Sequence, residues 1–424
     1  MSTMYTRRTM NRTAVIGAGA AGLLCAGMLA HSGADVTLFE KNAVMGKKLL
    51  ITGKGRCNVT NDSTPDEVIK NVVRNGKFLY AALNAFTPAD VMEFFEKRGV
   101  ALKTERGKRV FPVSDKAQDI QRALVSYCDG CKKVKATVSR VITCDGEVTG
   151  VEADGRIYDF ERVVVCTGGL SYPLTGSTGD GYRFASEAGH TVIEPTPSLV
   201  PMECREVCCS EMMGLSLKNV TLTLWDSAKN KKLFEEMGEM LFCHFGISGP
   251  LVLSASAHIG RNEKDREGIA DGRYKIKIDL KPALSEEVLN NRILSDFEKY
   301  KNKNFANALG DLLPSKMIPA VIEKTDIPPI KKVNEITRAE RMRLIAVLKN
   351  FELTLCGFRP IDEAIITSGG VKTSEIDPKT KQSKLTKGLF FAGEVMDVDA
   401  YTGGFNLQIA FSTAYLAAMG CMGE

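Results

Sequence analysis

The chain has 424 residues, 44% of them hydrophobic and 25% charged, with a formal net charge of +5. That length holds two or three domains around buried cores, and the composition is that of an ordinary globular protein. No window approaches the roughly 20 uninterrupted apolar residues of a membrane span. Twelve cysteines at irregular spacings, several inside apolar runs, suit reduced thiols better than a disulfide framework.

Arg7, Arg8 and Arg12 ahead of an apolar stretch imitate a secretory leader, yet the stretch is broken by Gly17, Gly19 and Gly22 and has no credible cleavage site. The lead reads as a disordered arm and the protein as cytoplasmic. Ala14-Val15-Ile16 reads as a buried strand running into Gly17-Ala18-Gly19-Ala20-Ala21-Gly22. An apolar run at helical spacing follows, then a second strand over 35–39 that ends on Glu40. Gly17 suits a tight turn, Gly19 a close approach of backbone to a pyrophosphate, and Gly22 close helix–strand packing. The helix start offers N–H groups to phosphate. Glu40, 18 residues after Gly22, is spaced to accept from ribose hydroxyls. The context predicts a Rossmann βαβ unit that binds a dinucleotide; a glycine-rich helix entry without a ligand is the alternative.

Lys47, Lys48, Lys54 and Arg56 come next, to serve cofactor phosphates or to fold their own loop. Helices are expected over 65–74, 88–98 and 117–128. Residues 97–109 carry six basic side chains against one acidic, a solvated face with phosphate neutralisation or a contact for a polyanion such as RNA. Cys128-Asp129-Gly130-Cys131 has redox spacing, but no second such pair and no histidine cluster accompanies it, so no metal site is expected. Short alternating runs over 134–138, 141–144, 148–153 and 156–160, with Asp145-Gly146 and Asp154-Gly155 between them, read as a β-meander with hairpin turns. It leads into an apolar strand and Thr167-Gly168-Gly169, where a second backbone segment can meet the dinucleotide.

From about residue 195 the character changes. Strands over 220–225, 238–243 and 274–280 and helices over 284–300, 306–312 and 339–348 are punctuated by Pro314, Pro319, Pro328 and Pro329. The last block repeats the opening logic: a strand ends on Gly393-Glu394, and Gly403-Gly404 start a helix over 405–419. Glu394 suits ribityl hydroxyls, and the helix start near Asn406 offers N–H groups to a flavin's pyrimidine oxygen. A nicotinamide needs no such second half, so the expected cofactor is FAD. The fold expected is α/β: a Rossmann-like FAD-binding domain (βαβ plus β-meander) over 1–194 and 363–424. It is interrupted by an inserted β-barrel domain over 195–283 and 349–362, with a nested helical domain over 284–348.

Together these segments resemble the two-dinucleotide-binding-domain flavoproteins, and more narrowly the BaiN-like flavoprotein family, some of whose members are labelled aminoacetone oxidase. The likeness rests on 17–22 with Glu40-Lys41, on 46–61 with its specific Gly53-Lys54-Gly55-Arg56-Cys57-Asn58, and on Thr167-Gly168-Gly169. It continues through 197–201, His244-Phe245-Gly246-Ile247-Ser248-Gly249-Pro250, 367–371 and 393–407. The resemblance implies FAD contacts at Ala21, Glu40, Arg56, Cys57, Asn58, Glu394, Asn406 and Leu407, and a backbone contact near Val134 to adenine. It further implies one of two reductions: a conjugated C=C of a 3-oxo bile acid, or a uridine of large-subunit ribosomal RNA to dihydrouridine.

Both reductions need hydride at the β-carbon of an enone-like system, a proton at the α-carbon and a donor near the substrate oxygen. His244 is the first candidate, or else a structural histidine holding its turn. Tyr172 and Tyr401, each beside a glycine-rich cofactor segment, come next, or else pack over the flavin. Cys57 reads as a backbone contact to flavin and not as a nucleophile. No second G-x-G-x-x-G is present, so NAD(P)H is expected to bind transiently. The ribosomal uridine is favoured narrowly over a steroid enone, because the basic 97–109 segment has no obvious use with a steroid. A flavin oxidase or disulfide reductase using Cys128 and Cys131, or a non-catalytic flavin or nucleic-acid binder, are the alternatives.

Overall fold

The computed structural model describes residues 12–260 and 262–423, so Arg7 and Arg8 lie outside the described residues. Thr13–Ile16 (β1) is buried along its whole length, as a strand covered on both faces must be. It is the middle of a parallel sheet with Val36–Glu40 (β2), Lys132–Lys135 (β3), Arg162–Val165 (β4) and Leu389–Phe391 (β5), in the order β5-β4-β1-β2-β3. Alternation divides the side chains. Val15, Leu38, Val164 and Phe390 share one core with the helices Ala20–His31 (α1) and Phe405–Met422 (α2). Ala14, Ile16, Phe39, Val163 and Phe391 share another with the meander.

That meander is the antiparallel sheet of Val138–Cys144, Glu147–Ala153 and Arg156–Asp159. Asp145, Gly146, Asp154 and Gly155 all have positive φ, the type I′ geometry that matches strand twist. Val134 is not a meander residue: it sits in β3 opposite Phe39, because the helix Ala117–Tyr127 brings the chain back as a parallel crossover. The helix expected over 65–74 stops at Lys70, and Val72–Arg74 is a strand paired with Asp399–Ala400. A capping box of Thr64 and Glu67 starts that helix. The β-branched Val72 and Val73 then take the partner that arrives from the far end of the chain.

The chain forms two compact units, one up to Ser198 and from Ile361 onward, the other Leu199–Pro360. The second contains a closed six-stranded barrel, ordered Met202–Cys204, Gly246–Ser248, Lys231–Cys243, Ser216–Asp226, Tyr274–Asp279 and Phe351–Phe358. Between its last two strands run the helices Glu286–Lys299, Phe305–Ala308, Ile318–Thr325 and Arg338–Lys349. Among the described residues no helix is long and apolar enough to cross a membrane.

Candidate functional site

The turn between β1 and α1 is where the sequence motif becomes geometry. Gly17 has φ +96°, and a Cβ there would stand 2.7 Å from the Cys166 carbonyl oxygen. A Cβ on Gly22 would stand 1.8 Å from the Gly17 carbonyl oxygen. A Cβ on Gly19 would meet nothing within 4 Å. The first two glycines are therefore required by packing, whereas Gly19 borders open space. Gly19→Val is expected to leave the stability of the flavin-free chain near wild type while flavin binding is lost. Gly22→Ala should destabilise the fold by about 1–3 kcal/mol or more through overpacking. Urea denaturation beside flavin content after loading separates the two; a Gly19→Val protein that still binds flavin fully refutes the assignment.

That open space is part of a cavity whose wall includes Gly17, Ala18, Gly19, Ala20, Ala21, Glu40, Lys41 and Lys48 from the N-terminal part of the unit. Thr167, Gly168, Gly393, Glu394, Asn406 and Leu407 complete it from the later segments. The Glu40 carboxylate accepts from the Ala18 N–H at 2.8 Å and from the backbone and side-chain N–H groups of Asn42, both at 2.8 Å, so it is fixed at the cavity rim. Glu394 is fixed too. It accepts from Lys48 Nζ at 2.7 Å, Ser171 Oγ at 3.0 Å and the Thr367 N–H at 2.9 Å. Lys41 holds Asp180 at 2.6 Å. Burial pushes the Asp180 carboxyl up, and Lys41 with Thr178 more than offsets this, so it lies below the usual carboxylate range.

The cavity fits a dinucleotide. Thr167 Oγ1, on a wall residue, is buried with no hydrogen-bond partner among the described residues. Unmatched polar atoms of this kind need a partner. Gly19 borders the open space beside the N-terminus of α1, whose N–H groups suit phosphate.

Several expected contacts stand elsewhere. Gly22 and Gly169 are packed behind the wall, where a Cβ on Gly169 would press within 2.4 Å of Thr367 Oγ1. Gly403 and Gly404 form the entry turn to α2; a Cβ on Gly404 would lie 2.2 Å from the Thr60 carbonyl oxygen. Arg56 is held by Glu105 and Asp115 and lies over the Phe111 ring, so its charge folds the loop. Gly53, Lys54 and Cys57 all adopt left-handed backbone there. Burial pushes the Cys57 thiol up to about 12, which leaves no thiolate at neutral pH. Val134 does not line the cavity, but Ala136, Thr137 and Val138 just beyond it do. The sequence reading missed these, along with Asn42 and Asp180. Only Asn42 carried a signal, its position two residues after Glu40.

Tyr172 is half-buried with left-handed φ +55°, and Lys48 Nζ lies 5.8 Å from its ring centroid. Burial holds its phenol above the usual tyrosine range. Tyr401 is half-buried and its N–H donates to the Asn71 carbonyl at 3.0 Å. His244 belongs to the barrel unit, exposed at the turn between Lys231–Cys243 and Gly246–Ser248 and edge-on to Phe245.

The two redox-spaced thiols face away from this chemistry. Cys128 Sγ donates to the Leu23 carbonyl at 2.8 Å and Cys131 Sγ to that of Ala26 at 3.1 Å, inside the core shared with α1. Neither lines the cavity. The Cys128 thiol is pushed far up by Cys131 and by burial. Replacing both by Ser should keep turnover within about twofold of wild type, since both are buried in the core and away from the cavity; loss of turnover with flavin retained would restore the dithiol reading. The basic run is also less free than its sequence suggested. Lys97 pairs with Glu93, Lys103 with Asp115 and Lys108 with Glu67, while Arg98 stacks over Phe94 and Tyr127.

A family model described as HI0933-like protein Rossmann domain matches residues 11–420. The chain is 30% identical over 413 residues to a 3-dehydro-bile acid delta(4,6)-reductase of Clostridium scindens, covering 96% of this chain and 98% of that one. It is 33% identical over 412 residues to a ribosomal RNA dihydrouridine synthase of Haemophilus influenzae, covering 96% and 97%. A solved 3-ketosteroid delta1-dehydrogenase of Sterolibacterium denitrificans, in complex with 1,4-androstadiene-3,17-dione, aligns over 98% of this chain and 100% of that one. Its TM-score is 0.51 at 12% identity, a likeness of fold alone.

Proposed function

The chain belongs to the HI0933-like Rossmann family, and on that premise we propose that it is an FAD-dependent oxidoreductase that reduces an activated C=C bond. The observation that carries this reading is one cavity gathering the N-terminal glycine turn, Glu40, Glu394 and Asn406 from opposite ends of the chain. A delta(4,6)-reductase of a 3-dehydro bile acid and a dihydrouridine synthase share a chemistry, saturation of a C=C conjugated to a carbonyl. Bound FAD would supply the hydride from its N5.

The chain's own residues then have distinct tasks. Ala18 to Ala21 and the α1 N-terminus hold phosphate, Glu40 a ribose, and Glu394 with Lys48 the ribityl side. Asn406 braces the turn before α2 by exchanging hydrogen bonds with both backbone groups of Ala400, at 3.0 and 2.8 Å. Tyr172, beside Lys48 and with a left-handed backbone that marks a constrained position, is one candidate proton donor. His244 and Tyr401 are the other candidates. NAD(P)H binds transiently as reductant, and the substrate is a uridine of large-subunit ribosomal RNA in preference to a 3-oxo steroid enone. Twelve free cysteines, most of them buried, suit a reducing cytoplasm.

The test is anaerobic. NADPH and then NADH are added to the flavin-loaded protein, and bleaching is followed at roughly 450 nm, where oxidised flavin absorbs. The reduced protein is then offered a 3-oxo steroid enone and, separately, unmodified ribosomal RNA. Bleaching followed by reoxidation with one of them is expected; a flavin that neither nucleotide bleaches overturns the reductase reading.

A further inference from the structure

We propose that the helical segment 299–349 is a surface that holds the phosphate backbone of an RNA substrate, an inference that rests on the reading of the chain as a ribosomal uridine reductase. The segment has eleven lysines and arginines against five acids. Its excess of six exceeds the +5 of the entire chain, so the remainder of the molecule is close to neutral. No single run of charge advertises this, because the cations are spread over fifty residues.

The fold collects them. The Val333 N–H donates to the Lys303 carbonyl at 3.1 Å, the Phe305 N–H to the Lys331 carbonyl at 2.8 Å, and Asn304 pairs with Lys332. Two lysine-bearing loops thus lie side by side. Lys331 Nζ bonds Glu340 at 2.7 Å, which brings the first turn of Arg338–Lys349, with exposed Arg338, to the same end. Of the segment's five acids, Asp311 is taken by Lys299 and Glu340 by Lys331, and Glu298 just before the segment is taken by Lys301, which leaves Glu323, Asp326 and Glu335. Lys303, Lys332 and Arg338 are exposed and have no carboxylate partner among the described residues. Lys299 and Lys303 also bracket the half-buried ring of Tyr300, at 4.7 and 4.2 Å.

Exposed cations without a carboxylate partner, spread over adjacent loops, match a chain of phosphates and the counterions it releases. A steroid acid offers a single carboxylate and leaves most of them unused. An anionic membrane would call for a broad apolar face among the cations; exposed Ile330 beside Lys331 is a single side chain, and phospholipid vesicles are therefore one arm of the test.

The experiment uses the flavin-loaded full chain, a Lys303→Glu/Lys332→Glu/Arg338→Glu variant, and the milder triple replacement by Gln. Binding of a labelled, unmodified large-subunit ribosomal RNA fragment is measured by anisotropy across a salt series. Bleaching by NADPH and reoxidation by a small 3-oxo enone are measured in parallel. The Glu variant should bind RNA at least about tenfold more weakly, with a shallower salt slope, and the Gln variant should fall between it and wild type. Flavin content, melting temperature and bleaching should be unchanged in both. Wild-type affinity and slope in both variants would overturn the proposal, as would wild-type protein that binds anionic phospholipid vesicles but not RNA. A flavin that no nucleotide bleaches, with RNA binding lost only in the variants, would sink the reductase reading and leave this surface standing.

Discussion

The stability of Lys381→Met relative to wild type is expected to rise as pH falls from about 10 to 7, by on the order of 4 kcal/mol. Lys381 is fully buried. Its ammonium donates to the Pro378 carbonyl at 3.0 Å and the Phe78 carbonyl at 3.4 Å, and sits 3.9 Å from the centre of the Phe78 ring. Among the described residues no carboxylate bonds it. Burial pushes its pKa down to about 7, against a small opposing pull from Asp377. Between that value and the ordinary lysine pKa near 10.4, the unfolded chain keeps the proton and the folded chain has released it. Wild-type stability due to this group therefore falls as pH falls through that window, and levels off below about 7 where both states are protonated. Met keeps the apolar stem and has nothing to titrate. The two lost carbonyl bonds shift the whole difference curve by a constant and leave its slope alone. Urea titrations of both proteins at several pH values test this, and parallel curves from pH 6 to 10 would refute it.

Lys381 also shows where the sequence is silent. In Lys379-Thr380-Lys381-Gln382 it reads as one more surface lysine of a turn, whereas in the fold it packs against Phe78, some three hundred residues earlier. The same contrast runs through the molecule. The glycine turn, β1, β2 and Glu40 were legible because each device is local: a turn, a helix start, an acid at a fixed distance. Both Asp-Gly hairpins were legible for the same reason, since the turn residues themselves supply the positive φ. Val72–Arg74 was not, because its strand character comes from Asp399–Ala400. Nor was the fate of Arg56, whose partners Glu105 and Asp115 are set by a hairpin that spacing does not reveal. Charge misled most. The dense run at 97–109 is largely consumed by its own neighbours, while the diffuse charge of 299–349 carried no motif at all.

Asp399→Asn should destabilise the cofactor unit by about 3–5 kcal/mol, the usual consequence of stripping the counter-charge from a buried pair. Asp399 is completely buried and receives Arg74 Nη1 at 3.2 Å, Ser198 Oγ at 3.0 Å and Ser368 Oγ at 3.0 Å. Asn keeps the shape but turns one accepting oxygen into a donor, so the guanidinium loses the charge of this carboxylate and one hydroxyl loses its acceptor. The damage should reach the cofactor. Asp399 precedes Ala400, whose two backbone groups are exchanged with the Asn406 amide at the start of α2. Lower flavin content is therefore expected alongside a lower denaturation midpoint. The double variant Arg74→Met/Asp399→Leu removes both charges and should recover part of the loss, because the penalty belongs to the abandoned charge more than to the missing bond. A double variant no more stable than Asp399→Asn would show that the hydroxyls of Ser198 and Ser368, not the ion pair, set the energetics of this junction.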